Sequence, residues 1–209
     1  MRINSQCLRL YAVTSRAWAA DEAALFRQIE AAVRGGAGAV QLREKDRTVL
    51  PEEARRFADL CRQAGALSIL NDQAELVPAS GADGAHVGQE DLEAGRARAL
   101  LGPDRILGVS VHTVEEALRA QAAGADYLGA GTIFPTTTKA DATPVSLETL
   151  RAIVEAVDIP VVAIGGITRD NLPELKGLGL AGVAVVSAIF AQKDPEAAAR
   201  ELLALFGRL

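Results

Sequence analysis

The sequence is poor in the residue types that build metal knuckles and disulfide frameworks. Its 209 residues include two cysteines, Cys7 and Cys61, and two histidines, His86 and His112. The cysteines are too few and too far apart for a disulfide framework or a metal knuckle, and the histidines lack the spacing of zinc ligands. We therefore expect both cysteines to be ordinary core or near-core residues.

The chain also lacks an excess of positive charge and any long apolar run. It carries 22 lysine and arginine residues against 27 aspartate and glutamate residues, a net charge of −5, which argues against nucleic-acid binding through bulk charge. No apolar run approaches the ~20 residues needed to span a membrane, and the N-terminus is polar where a signal peptide would have its apolar segment. The sequence thus predicts a cytoplasmic protein with neither a nucleic-acid nor a membrane partner.

What the sequence does have is a regular alternation of short apolar runs and longer amphipathic runs. The patterns indicate eight strands, at residues 8–14, 38–44, 66–72, 84–88, 105–111, 126–132, 160–166 and 182–188. Such alternation favours parallel strands joined by crossover helices. Eight units in 209 residues predict one domain, a single (β/α)8 TIM barrel over residues 1–209. The alternative, a doubly wound open sheet, has no G-x-G-x-x-G motif after the first strand to support it.

In a barrel the site should lie where the strands end, because active sites of this fold are built from loops at the C-terminal mouth. The second strand ends in QLREK, in which Gln41, Arg43 and Lys45 are spaced two residues apart. An extended chain points all three side chains to one side, which predicts an anion site. The alternative is a solvated strand end whose cations pair with Glu44 and Asp46.

Carboxylates end the next two strands. Asn71 and Asp72 close the third strand, and Asp91 follows the fourth. Helix capping is the simple alternative at each position, because a helix-like segment follows. The two carboxylates would nevertheless leave adjacent strands at one rim, where they can share Mg²⁺ with substrate phosphate oxygens. Ser110, at the end of the fifth strand, adds a hydroxyl group to the same region.

The last two strands end in glycine and serine. Gly165 and Gly166 follow the seventh strand, and Val186 and Ser187 follow the eighth. This fold commonly binds phosphate at these two places, through exposed backbone N–H groups. We therefore expect a phosphate site here; a tight turn is the alternative for the glycine pair.

The sixth strand is followed by the polar segment FPTTTK. Thr136 and Thr138 can point their hydroxyl groups to one side if the segment is extended, and Lys139 brings a mobile positive charge. Pro135 restricts the backbone locally. The residues by themselves thus predict a barrel with two anion sites, one rich in cations and one made of glycine and hydroxyl groups.

Taken in order, the motifs QLREK, ND, HVGQEDL, FPTTTK, AIGGI and VVSAI span nearly the whole chain and resemble the thiamine phosphate synthase family. PTTTK with the ND and QED carboxylates is the specific part, since the glycine and serine motifs occur in many barrels. The resemblance implies a transferase that condenses 4-amino-2-methyl-5-hydroxymethylpyrimidine diphosphate with 4-methyl-5-hydroxyethylthiazole phosphate, giving thiamine monophosphate and pyrophosphate. It implies Mg²⁺ as the cofactor and leaves the assembly open between a monomer and a homodimer.

The resemblance also implies roles for individual residues. The pyrimidine diphosphate would be bound by Gln41, Leu42, Arg43, Glu44, Lys45, Asn71, Ser110 and Lys139, of which Arg43, Lys45 and Lys139 would act in catalysis. The thiazole phosphate would be bound by Thr136, Thr137, Thr138, Gly166, Val186 and Ser187. Asp72 and Asp91 would be the Mg²⁺ ligands.

Two other functions are compatible with such a barrel. A thiazole tautomerase of the same superfamily would handle thiazole phosphate without releasing pyrophosphate, but it should lack PTTTK and the metal carboxylates, which this chain has. A non-catalytic barrel that senses a phosphorylated metabolite is disfavoured by the presence of Arg43, Lys45 and Lys139.

Overall fold

A computed structural model describes residues 3–44, 47–88, 94–136 and 143–209 of the chain. Eight parallel strands form a closed barrel in which each strand pairs with the next and the last pairs with the first. The strands are β1 (Leu10–Val13), β2 (Ala39–Leu42), β3 (Leu67–Asn71), β4 (Gly84–Val87), β5 (Ile106–Val111), β6 (Tyr127–Ala130), β7 (Val161–Ile164) and β8 (Gly182–Val185). The predicted TIM barrel is confirmed, with every strand inside its predicted range.

Helices surround the barrel. They are α1 (Glu22–Arg34), α2 (Pro51–Ala64), α3 (Val77–Ser80), α4 (Ala94–Leu101), α5 (Val114–Ala122), α6 (Leu147–Ala156), α7 (Ser187–Phe190) and α8 (Pro195–Phe206). Local chemistry sets several ends: the side chains of Asp21, Thr113 and Asp194 cap α1, α5 and α8, and α2 ends at Gly65, whose φ is 80°. The connection from β7 to β8 carries only the 3₁₀ turn Leu172–Leu175.

The strands are buried on both faces, as a parallel barrel requires. Outward residues such as Leu10 and Val40 pack with the helices in the larger core. Inward residues such as Tyr11, Val13 and Ile69 fill the barrel in a second cluster. Side chains thus alternate between the outer core and the barrel interior along each strand. The inward side chains nearest the C-terminal strand ends form the floor of any site at the mouth.

The two cysteines lie where the sequence predicted them. Cys61 is buried, Cys7 is half-buried and both are free thiols, as expected for core or near-core residues. No helix in the described ranges has the length and apolar character needed to cross a membrane.

Candidate active site

A cavity of about 340 Å³ opens at the C-terminal mouth, and residues at the ends of all eight strands line it. Ten predicted site residues lie in its lining: Gln41, Arg43, Glu44, Asn71, Asp72, Ser110, Thr136, Gly166, Val186 and Ser187. Five others, Lys45, Asp91, Thr137, Thr138 and Lys139, lie outside the described residues. Leu42 is fully buried in the outer core, so its side chain points away from the cavity.

Thr14, a buried residue that was not predicted to belong to the site, fixes the backbone at the end of β2. Thr14 Oγ1 accepts a hydrogen bond from the Arg43 N–H at 2.9 Å, and the Thr14 N–H donates to the Gln41 carbonyl at 3.0 Å. Among the described residues, no carboxylate pairs with the Arg43 guanidinium. Arg43 therefore brings to the mouth a cation that no carboxylate of the described residues neutralises, on a backbone fixed by the residue that follows β1.

Glu44 is occupied by other cations. It pairs with Arg16 at 2.6 Å and with Arg47 at 3.4 Å, and the same two arginines bind the buried carboxylate of Glu53 in α2. Hydrogen bonding to Glu53 raises the pKa of Arg47 above its usual value. The four side chains tie the turn after β2 to the β1 loop and to α2, so Glu44 stabilises this turn rather than neutralising Arg43.

Asn71 and Asp72 at the end of β3 do not serve as helix caps. The N-cap of the following 3₁₀ turn is Gln73, whose side chain makes no capping bond. Asp72 has a φ of 58°, in the left-handed region that few side chains other than Asn and Asp tolerate. Its N–H donates to the His86 carbonyl at 2.8 Å, and its carboxylate accepts from the Asn71 amide. An uncommon backbone geometry thus places the Asp72 carboxylate in the cavity lining, oriented by the neighbouring Asn71 amide.

The base of the PTTTK segment is anchored on two sides. Thr132 exchanges backbone hydrogen bonds with Thr143 at 3.1 Å and Val145 at 2.8 Å. The next two N–H groups donate to the carbonyls of Ile164 and Gly165, at 3.1 and 3.0 Å. These bonds bring Thr136 to the cavity beside the end of β7.

The glycine pair after β7 is required by close backbone contacts as well as by conformation. Gly165 and Gly166 have φ of 102° and 63°. A Cβ on Gly165 would collide with Thr132, and one on Gly166 would lie 2.5 Å from the carbonyl oxygens of Phe134 and Pro135. The pair is therefore more than a tight turn, because it allows the loop after β6 to lie directly against the end of β7.

This contact predicts a difference between two glycine substitutions. Gly166→Ala should lower the free energy of unfolding by about 1–3 kcal/mol more than Gly177→Ala does. Gly177 also has a positive φ, 73°, so both variants bear the same type of backbone strain. A Cβ at Gly177, however, would meet no atom within 4 Å. Chemical denaturation of both variants measures the difference, and equal losses would show that no steric constraint acts at Gly166.

The ends of β7 and β8 carry unused backbone donors. Within the described ranges, the N–H groups of Gly166, Val186 and Ser187 have no acceptor, and all three residues line the cavity. Val186 is the N-cap residue before α7. Three N–H groups and a serine hydroxyl at one side of the cavity are the donors that a phosphate group accepts from.

Three inward side chains at the floor of the cavity were not predicted: His86, which lines the cavity, and Tyr11 and Tyr127, which are buried beneath it. They form a hydrogen-bonded chain in the floor. Their signal in the sequence is weak, because large polar residues alternating with glycine, as in GAHVG and DYLGAG, also fit ordinary core strands. His112 was likewise not assigned to the site; it lines the cavity and its ring lies 3.2 Å from Glu116.

The chain was compared with known proteins. Residues 10–189 match the family model described as thiamine monophosphate synthase. Thiamine-phosphate synthase of Methanobrevibacter smithii is 44% identical over 206 residues, covering 98% of each chain. That of Moorella thermoacetica is 51% identical over 177 residues, covering 83% of this chain and 84% of the relative.

Solved structures of other proteins also resemble this chain. Thiamine phosphate pyrophosphorylase from Pyrococcus furiosus superposes with a TM-score of 0.86 at 38% identity, covering 98% of both chains. A 3-hexulose-6-phosphate synthase, with a TM-score of 0.71 and 17% identity over 95% of this chain and 99% of the other, shares the fold. From the family match and these identities, the chain belongs to the thiamine monophosphate synthase family.

Proposed function

We propose that this protein condenses 4-amino-2-methyl-5-hydroxymethylpyrimidine diphosphate with 4-methyl-5-hydroxyethylthiazole phosphate, forming thiamine monophosphate and releasing pyrophosphate. The observation that carries the proposal is one cavity with two kinds of anion-binding group in its lining. At one side lies the half-buried cation of Arg43, and at another lie backbone N–H groups that have no acceptor within the described ranges. Its volume of about 340 Å³ is in the range of small-molecule sites. Two phosphorylated molecules that must react with each other need such a shared cavity.

The two proposed anion sites are on different sides of the mouth. In an eight-stranded barrel β3 is opposite β7, because three strands separate them in either direction. Arg43 after β2 and Asn71 in β3 suit the diphosphate, whereas Gly166 and Ser187 after β7 and β8 suit the thiazole phosphate. This separation would let the reacting carbon and nitrogen atoms meet over the middle of the barrel, which favours reaction by proximity and orientation.

The chemistry needs no protein nucleophile. The bond between the pyrimidine methylene carbon and the diphosphate oxygen breaks, and its electron pair leaves with pyrophosphate. The aminopyrimidine ring stabilises the resulting carbocation, and the thiazole nitrogen forms the new carbon–nitrogen bond. The protein's task is to stabilise the negative charge on the leaving group. The guanidinium of Arg43, which has no carboxylate partner among the described residues, can do so. Lys45 and Lys139, outside the described residues, are proposed for the same task.

We propose Mg²⁺ as the cofactor. No group of three or more His, Cys, Asp and Glu side chains in the described ranges could hold a metal, so the described part of the site has no all-protein cage. The oxygen donors that line the cavity fit Mg²⁺, which is commonly bound by one or two carboxylates plus substrate phosphates. Asp72 supplies one carboxylate, and Asp91, outside the described residues, is proposed as the second. The bound ion would supply positive charge to the diphosphate.

The proposed reaction is tested by supplying the purified protein with both substrates and Mg²⁺ and measuring thiamine monophosphate and pyrophosphate. We expect both products in equal amounts, and none when either substrate is omitted or when the metal is chelated. Binding of both substrates without product formation would support a sensor, and conversion of a thiazole phosphate isomer alone would support a tautomerase.

The division of the two anion sites makes a further prediction. Ser187→Ala should raise KM for the thiazole phosphate about 10- to 100-fold, because a hydrogen bond to a charged group is lost. KM for the pyrimidine diphosphate should stay within about twofold of wild type. Ser146→Ala is the matched control, since that hydroxyl caps α6 and its loss should cost about 1 kcal/mol of stability without affecting either KM. Equal effects of Ser187→Ala on both substrates would rule out the division.

A further inference from the structure

Five side chains from five strands form one hydrogen-bonded chain at the floor of the cavity. Gln41 Nε2 donates to Tyr11 Oη at 2.9 Å, and the two phenol oxygens of Tyr11 and Tyr127 lie 2.8 Å apart. His86 Nδ1 lies 3.0 Å from Tyr127 Oη, and His86 Nε2 lies 2.9 Å from Ser110 Oγ. Gln41, His86 and Ser110 line the cavity, whereas Tyr11 and Tyr127 are fully buried beneath it.

When the His86 ring is neutral, with hydrogen on one nitrogen, the number of hydrogens limits this chain to two proton arrangements. Each phenol has one hydrogen, and the partners of Tyr11 and Tyr127 within the described ranges all belong to the chain. In the forward order, Gln41 donates to Tyr11, Tyr11 to Tyr127, Tyr127 to His86 Nδ1, and His86 Nε2–H to Ser110. In the reverse order every donor and acceptor is exchanged, which requires the Gln41 amide to be turned round.

The two orders present different groups to a ligand. In the forward order the Gln41 carbonyl oxygen and its second N–H face other partners, and the Ser110 hydrogen is directed to an acceptor other than His86. In the reverse order the single Ser110 hydrogen is donated to His86 and is not available to a ligand, and the Gln41 carbonyl accepts from Tyr11 with one of its two lone pairs. An aminopyrimidine edge offers an amino donor beside a ring-nitrogen acceptor, and a diphosphate offers only acceptors. The forward order therefore matches both parts of the pyrimidine substrate.

We propose that Tyr11, Tyr127 and His86 are positioning residues that hold Gln41 and Ser110 in the forward order, so that Gln41 recognises the aminopyrimidine edge and Ser110 donates to the diphosphate. The proposal rests on the proposed function, because the pyrimidine diphosphate is the ligand that selects between the two orders.

Packing keeps the rings of the chain in place. A Cβ on Gly108 would collide with the Tyr127 ring, and one on Gly129 would lie 3.1 Å from His86 Cε1. Glycine at these two inward positions thus makes the space that the two rings occupy. The Tyr127 ring meets Tyr11 edge to face, with centroids 5.8 Å apart, and lies 5.5 Å from the His86 ring. Burial also raises the pKa of both phenols above the usual value, which keeps their hydrogens on the chain.

The first test reads the position of the His86 proton directly. Long-range ¹H–¹⁵N spectra of ¹⁵N-histidine protein show which ring nitrogen carries hydrogen, and the chain has only two histidines, so His112→Gln assigns the signals. With the pyrimidine diphosphate bound and no thiazole phosphate present, we expect hydrogen on Nε2 and a bare Nδ1. Hydrogen on Nδ1 with a bare Nε2 in that complex would establish the reverse order and overturn the proposal.

The second test uses two amides that each mimic one ring nitrogen. His86→Gln can place an N–H near the position of Nε2 and so retain the donor to Ser110, whereas His86→Asn reaches only the position of Nδ1 and loses it. We expect His86→Asn to lower kcat/KM for the pyrimidine diphosphate about 10- to 100-fold. We expect kcat/KM of His86→Gln for this substrate to be at least threefold higher than that of His86→Asn. KM for the thiazole phosphate should change by less than about twofold in both variants.

A purely structural role of the chain makes a different forecast. It predicts lower melting temperatures for both variants, together with one of two kinetic outcomes. Either the kinetic constants per folded molecule stay unchanged, or kcat/KM falls equally for both substrates. Either outcome would overturn the proposal. Should wild-type protein form no thiamine monophosphate, the proposed function fails by itself. The position of the His86 proton, read in the presence of the pyrimidine diphosphate, still decides the proton order.

Discussion

Asp72→Asn is expected to lower kcat about 100-fold at a fixed Mg²⁺ concentration, a loss of ~2.7 kcal/mol of transition-state stabilisation. Asparagine keeps the shape of the side chain and removes the negative charge that we propose for Mg²⁺. It also tolerates the left-handed backbone at this position, where φ is 58°. An alanine substitution would confound loss of the carboxylate with backbone strain, so asparagine isolates the charge.

Steady-state kinetics over a range of Mg²⁺ concentrations measures the effect, and thermal melting checks the fold. Because Asp72 is exposed, we expect the melting temperature to change by less than about 3 °C. Asp59→Asn is the matched control, since it removes an exposed carboxylate that lies on α2, outside the cavity lining. Wild-type turnover of Asp72→Asn at limiting Mg²⁺ would exclude the metal role.

Lys139→Ala is expected to reduce kcat by 100-fold or more, if the stabilisation lost is ~3 kcal/mol, with a smaller change in KM. Negative charge gathers on pyrophosphate as the carbon–oxygen bond breaks, so a cation that meets this group interacts more strongly in the transition state than with bound substrate. Lys139→Arg should recover only part of the rate, because a planar guanidinium replaces a compact ammonium group.

Measurements with both substrates saturating separate this role from that of a solvated loop charge, which predicts a loss within about twofold. Lys193→Ala is the control, because Lys193 is exposed and lies away from the cavity lining. A kcat for Lys139→Ala near that of the control would remove the catalytic role from the PTTTK segment.

The fold followed from local patterns in the sequence. Strand formation depends on short apolar runs, and helix formation on amphipathic ones that end at caps and glycines, so both are encoded over a few consecutive residues. The closed barrel then follows, because eight strand–helix units of this length favour it. The mouth was predictable for the same reason: polar residues such as Arg43, Asp72 and Ser187 directly follow apolar strands, and the ends of parallel strands meet at one edge.

Pairing between distant side chains could not be read from the sequence. Neutralisation of Arg43 by Glu44 was the alternative interpretation of QLREK, but Glu44 pairs with Arg47 and with Arg16, which is 28 residues away. A charge pattern gives the number of cations and anions in a segment but not the direction of each side chain. Which carboxylate neutralises which cation is decided where loops from different strands meet.

The sequence by itself determined the barrel, the family and the edge at which the site lies, because periodicity, strand-end residues and motifs are properties of contiguous segments. Only the tertiary structure decided what lies beneath the cavity. Tyr11 and Tyr127 are 116 residues apart and meet because the register of closed strands places both inside the barrel. It likewise decided that Gly166 must accommodate the carbonyls of the preceding loop. Such contacts depend on barrel closure and strand register, which no local segment specifies.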